Sequence, residues 1–110
     1  MTVKADETDA AAQLDLGVSL CRRARWREAI EPLQRAVSLD PDNALAHYQL
    51  GEAYNQTDRL NEALEAYEAA ARLQPDHWRA MNRIGVVLDR LGRPVEATAA
   101  YQRSREAQRR

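Results

Sequence analysis

The stretch ALAHYQLGEAYNQTDRLNEALEAYEAAARLQPDH, residues 44–77, decides the fold, because the chain writes the same pattern three times. Gly17, Gly51 and Gly85 stand 34 residues apart, each preceded by a branched apolar residue, Leu16, Leu50 or Ile84. The same step links Ala12, Ala46 and Ala80; Arg25, Arg59 and Arg93; Glu28, Glu62 and Glu96; and Ala29, Ala63 and Ala97. Leu33, Tyr67 and Tyr101 follow, then Ala36, Ala70 and Ser104, and Pro41 and Pro75 close the first two units. Self-similarity at a fixed step of this size is the mark of a stacked-repeat architecture. The units run over residues 10–43, 44–77 and 78–110, behind a flexible N-terminal tail expected over 1–9, whose Asp9 can cap the first helix.

Within the middle unit, Leu50, Ala53 and Tyr54 share one stripe at helical spacing, which predicts a first helix over 45–56. Gly51 adds no side chain to that stripe, so a neighbouring helix can approach closely. That gain outweighs glycine's helix cost of roughly 1 kcal/mol. After a break at Thr57-Asp58-Arg59, a second helix over 60–73 turns Ala63, Leu64, Tyr67 and Ala70 inward. Small alanines then face large leucine or tyrosine, and the antiparallel pair interlocks. Pro75 ends the helix, since it lacks an amide donor and restricts the residue before it. In Asp40-Pro41-Asp42-Asn43, either Asp42 or Asn43 can cap the next helix.

These residues resemble the tetratricopeptide repeat (TPR) family, whose unit reads W-x2-L-G-x2-Y, then A-x3-F, then P. The middle unit supplies Leu50-Gly51, Tyr54, Ala63, Tyr67 and Pro75, and the resemblance covers residues 10–110. It implies an all-α, right-handed α-α superhelix, a solenoid of three TPR helical hairpins. Some positions depart from the pattern. Gln13, His47 and Met81 replace the family's Trp, Leu20 and Leu88 replace the Tyr, and Pro32 inside a second helix predicts a local bend. The third unit is expected to be a C-terminal cap with a wetted outer face. Thr98 stands where Ile30 and Leu64 do, Arg105 where Val37 and Ala71 do, Ala107 where Leu39 and Leu73 do, and Arg109 where the closing Pro falls. All four are read as positions that earlier units cover with the next hairpin.

The composition suits a thin helical core: 45% of residues are hydrophobic but only 5% aromatic, with no Phe, so alanine does much of the packing. No apolar run approaches the ~20 residues a membrane-spanning helix needs. Residues 1–7 carry one Lys and no hydrophobic stretch, unlike a secretory signal, and the single Cys21 excludes an internal disulfide. The chain therefore reads as cytoplasmic. Its net charge of −1 conceals a division: residues 1–71 hold 7 Lys/Arg against 13 Asp/Glu, and residues 72–110 hold 9 Arg against 4 Asp/Glu. An acidic front and a basic back bear on partners more than the total does.

Catalytic, cofactor-binding and metal-binding groups are not expected. His47 and His77 occupy different parts of their units, Cys21 has no second cysteine, and there is no Gly-rich phosphate loop or nucleophile–base spacing. Paired carboxylates such as Glu62 and Glu65 read as a solvated helix face. Arg103, Arg105, Arg109 and Arg110 could meet phosphates, but the acidic front repels them and no aromatic platform accompanies the basic run.

In the TPR family the first helices of successive units line a concave groove that takes a peptide or a partner's helix. The resemblance places Leu14, Val18 and Cys21 of the first unit there, with Tyr48, Gln49, Glu52 and Asn55 of the second, and Arg79, Asn82, Arg83, Val86 and Asp89 of the third. One end is apolar and the other basic. Some chaperone-binding members clamp a terminal carboxylate with basic residues where Arg79 and Arg83 stand. Here Leu14 and Val18 replace the other half of that clamp, so what remains is an arginine pair for an acidic or carboxylate end. The expected role is an adaptor for an unidentified protein or peptide. The alternative is a self-assembling scaffold module whose acidic and basic ends meet head to tail.

Overall fold

A computed structural model describes residues 6–110. They form six helices and, among the described residues, no strand: α1 (Ala10–Arg22), α2 (Trp26–Leu39), α3 (Ala44–Gln56), α4 (Leu60–Leu73), α5 (Trp78–Arg90) and α6 (Pro94–Gln108). Consecutive helices pack as three hairpins, α1 with α2, α3 with α4 and α5 with α6, stacked through α2–α3 and α4–α5. The stack measures 50 × 28 × 20 Å. Helices α1, α3 and α5 make an inner layer, α2, α4 and α6 an outer one. No described helix is long and apolar enough to cross a membrane.

Each hairpin closes on its glycine. A Cβ at Gly51 would lie 2.7 Å from Tyr67 Cδ1, and one at Gly85 would lie 2.6 Å from Tyr101 Cε1; Gly17 meets Leu33 in the same way. The large residue of the second helix therefore sits in the notch the glycine leaves, and Leu33 and Tyr67 are fully buried. Ala29, Ala36, Ala63, Ala70, Ala97 and Ala100 line the same contact at almost no exposure.

The turns also repeat. Ala24, Asp58 and Gly92 adopt φ of 56°, 62° and 75°, a left-handed bend that only Gly92 accepts without a steric cost. The amides of Arg25, Arg59 and Arg93 then donate back to the carbonyls of Leu20, Tyr54 and Leu88, each at 2.9 Å. The guanidinium of each arginine forks onto the glutamate three residues on, Glu28, Glu62 or Glu96. That glutamate stands in the first turn of the next helix, where the helix dipole favours negative charge.

Between hairpins the caps keep the same step. Asp9 accepts from the amides of Ala11 and Ala12, Asn43 from Ala46, and His77 Nδ1 from Ala80. Of the tail expected over 1–9, residues 1–5 lie outside the described residues. Residues 6–9 form a turn closed by Asp9 N–H to Asp6 O, as Asn43 closes onto Asp40 and His77 onto Gln74. Gln13, standing where the family has Trp, is buried and donates its amide to Asp6 O at 2.9 Å.

Two expectations about the outer face need separating. Ile30 and Leu64 are buried and Val37 and Ala71 pack against the core, while Thr98 and Arg105 at the same positions are exposed. Leu39 and Leu73, however, are 45% and 36% exposed, and Ala107 is only 9% exposed. That position is not covered by the next hairpin. It lies two residues, or about 200° of helix, beyond Val37, and so points away from the next hairpin.

Candidate functional site

The twelve residues assigned to the groove sit on the inner helices but at different depths. Cys21, Tyr48 and Asn55 are buried beneath the surface; Leu14, Val18, Gln49, Glu52, Asn82, Arg83 and Val86 are half-buried; Arg79 and Asp89 are exposed. Burial and the nearby charge of Glu52 push the Cys21 thiol up to about 11, so it stays protonated at neutral pH. Cys21 is packing, not a reactive group.

A polar cluster occupies the centre. Glu52 Oε1 accepts from Arg83 Nε at 2.9 Å and from the Tyr67 hydroxyl. Burial, reinforced by the bond to Glu52, holds the Tyr67 phenol far above its usual range, so it stays protonated and donates to Glu52. Tyr48 lies between Tyr67 and His77, with ring centroids 5.7 Å and 4.9 Å away. Burial pushes the Tyr48 phenol up and holds the His77 imidazole below its ordinary value of 6.5. A neutral His77 keeps Nδ1 free to cap α5.

Further along, Arg90 donates to Asn55 O at 2.9 Å and Asn55 Oδ1 at 2.5 Å, and its second amino group pairs with Asp58. Asp89 accepts from Tyr101 at 2.9 Å. Arg79 stacks over the Trp78 ring at 4.8 Å and has no carboxylate partner among the described residues. The expected arginine pair is therefore divided: Arg83 is spent on Glu52, and Arg79 alone is available to an incoming anion.

Sequence reasoning missed Leu45. It is 48% exposed, one turn before Gln49 on the same helix, so it adds an apolar contact at the centre of the face. Its 34-residue offset from Arg79 was the signal that could have found it. A cleft also lies on the outer face between α4 and α6; its volume is about 570 Å³ and its lining includes Met81, Ile84 and Leu88.

The sequence matches family descriptions of TPR repeats over residues 17–58 and of the tetratricopeptide repeat over residues 56–109. No curated protein sequence matches the chain. Among solved structures, a crystal structure of MamA superposes with a TM-score of 0.89 at 32% identity, covering 94% of this chain and 61% of that one. MamA from Desulfovibrio magneticus RS-1 gives a TM-score of 0.86 at 25% identity, covering 90% of this chain and 56% of that one. The chain thus spans about three fifths of the MamA chains it resembles. With the 34-residue step carried by glycine notches, left-handed turns and caps alike, and with the family match running across all three hairpins, the chain belongs to the tetratricopeptide repeat family.

Proposed function

We propose that the chain is a protein-binding adaptor whose inner face holds a segment of a partner protein. Tetratricopeptide repeats and the MamA likeness support a protein-interaction or scaffold module. The observation that carries the finer reading is the strip of half-buried side chains, Leu14, Val18, Gln49, Asn82 and Val86, running across all three inner helices beside exposed Leu45. Such side chains are neither fully buried nor fully solvated, and covering them removes apolar surface from water. An acidic segment end meets Arg79 first. At Arg83 it must compete with Glu52.

The test is an NMR titration with peptides ending in Asp or Glu, with free and with amidated C-termini. The expected result is larger amide shifts around Arg79, Asn82 and Gln49 for the free ends, reduced in Arg79→Ala. Equal perturbation by both ends rules out the carboxylate preference, and no perturbation of the inner face by either rules out the groove for such segments.

Self-assembly is a second reading with its own observation. Leu16 is 39% exposed where Leu50 and Ile84 are buried under a preceding hairpin, and it lies in the acidic part of the chain. Stacking against the basic third unit of another copy would cover it. Light scattering across a salt series separates the two readings, because association of opposite charges weakens with screening.

A further inference from the structure

The trough between outer helices occurs twice, and the two copies differ at several positions, among them the exchange of Tyr54 for Leu88, which removes a phenol ring. Between α2 and α4, Tyr54 rises from α3 and its phenol oxygen takes a hydrogen bond from Gln34 Nε2 at 2.8 Å. The Arg59 guanidinium, held by its fork on Glu62, lies over the ring with Cζ 4.7 Å from the centroid. The ring divides that trough into two hollows, one lined by Gln34 and Arg59, the other by Val37, His47 and Leu50.

Between α4 and α6 the position of Tyr54 is taken by Leu88, and that of Gln34 by Glu68. Arg93 repeats Arg59 and makes the same fork, with 2.9 Å and 2.6 Å bonds to Glu96. No ring lies beneath it. Glu68, Leu88 and Arg93 instead line one continuous cleft over Met81 and Ile84. The cleft keeps the cation for an aromatic face and a polar group for a hydroxyl, but lacks the phenol that Gln34 and Arg59 hold in its twin.

From this we infer that the outer cleft between α4 and α6 receives a tyrosine side chain presented by a segment of a partner protein. The ring lies on Leu88 and Ile84 under the Arg93 guanidinium, and the phenol O–H donates to the Glu68 carboxylate. A carboxylate is the stronger acceptor, so Glu68 favours phenol over plain aromatic rings. This surface is separate from the inner face, and the two can be occupied together.

The side chain itself serves as probe. The full chain is titrated with 4-methylphenol and, in parallel, with toluene, following amide shifts by NMR. Saturable shifts at Met81, Ile84 and Leu88 are expected with 4-methylphenol, with toluene binding at least several-fold more weakly. Leu88→Tyr supplies the missing ring from within, and is expected to abolish 4-methylphenol binding while the protein keeps or raises its Tm. Glu68→Ala is expected to erase the difference between the two probes, and it serves alone if Leu88→Tyr does not fold. Equal binding of toluene and 4-methylphenol to the wild-type chain, no saturable shift in the cleft, or undiminished binding to folded Leu88→Tyr would overturn the assignment. Shifts confined to the inner-face amides would overturn it too, while leaving the groove reading standing.

Discussion

The two seams between hairpins share one backbone plan and are locked on opposite faces. At the first, the lock is on the outside: Tyr54 bridges to Gln34 and lies under Arg59. Its inner side carries Val18 and Cys21, with no side-chain hydrogen bond from α1 to α3 among the described residues. At the second, the lock is on the inside: Glu52 holds Arg83, and Arg90 reaches Asn55 and Asp58. Its outer side is the open cleft over Leu88. A few exchanges at the 34-residue step account for this, Val18 for Glu52, Gln49 for Arg83 and Tyr54 for Leu88. In a repeat fold the glycine notches and turns fix the register, and the remaining positions are free to choose which face is tied and which is left for a partner.

The largest expected effect breaks what both seams share. Gly51→Leu drives a side chain into the Tyr67 ring and is expected to cost at least about 1–3 kcal/mol. Glu62→Leu changes a surface fork that is open to solvent and is expected to stay within about 0.5 kcal/mol. Thermal melts of the two variants check the order, and equal Tm values contradict the register.

Next in size, Tyr54→Leu makes the first seam resemble the second. It removes a buried ring, its hydrogen bond and the stacked guanidinium, and is expected to cost about 2 kcal/mol in denaturant melts. A loss below about 0.5 kcal/mol would mean that the outer lock contributes nothing.

Smaller again, Arg83→Met removes the inner lock of the second seam. Arg83 is partly solvated, so the expected loss is about 0.5–1 kcal/mol. It is also expected to shrink as salt rises, because the wild-type pair is itself screened. A loss independent of salt would assign the effect to packing of the arginine stem.

The smallest effect distinguishes the caps. His77 caps α5 and stacks on Tyr48 in the second seam, where Asn43 caps α3 in the first. Burial lowers the folded pKa of His77, so as pH falls through its ordinary 6.5 the unfolded chain takes the proton first. Its contribution is full above that value and is lost as pH falls toward the folded pKa. Wild-type Tm is therefore expected to fall slightly between about pH 7.5 and 5.5, and His77→Asn to flatten that slope. An unchanged slope would remove His77 from the account.

The frame was legible because each of its signals recurs. The spacing predicts the second helix of the middle unit over 60–73, and it spans Leu60–Leu73, since Arg59 and Pro75 bound it on both sides. The close approach at Gly51 followed from the glycine step alone. The turn geometry was only partly legible: Gly92 announces a left-handed bend, whereas Ala24 and Asp58 adopt it under constraint from the hairpin. The repeated Arg–Glu pairs were visible as a pattern, but their fork and the turn they close depend on backbone geometry. For the twelve residues expected to line a groove, the repeat spacing assigns each to a first helix and carries no information on depth. Cys21 and Tyr48 sink because their neighbours pack over them, and the partner of Arg83 depends on how far α5 slides along α3.

Hydrogen exchange at low and high salt tests the contrast between the seams most directly. Screening should loosen Glu52–Arg83 and Arg90–Asp58, and the surface Arg59–Glu62 fork as well, while leaving the buried Tyr54 ring and its hydrogen bond from Gln34 intact. The expected result is that amides of α5 and α6 lose protection at high salt, with α1 and α2 little changed. Equal loss in both end hairpins, or earlier loss in α1 and α2, would contradict the assignment of an ionic inner lock to the second seam and an aromatic outer lock to the first.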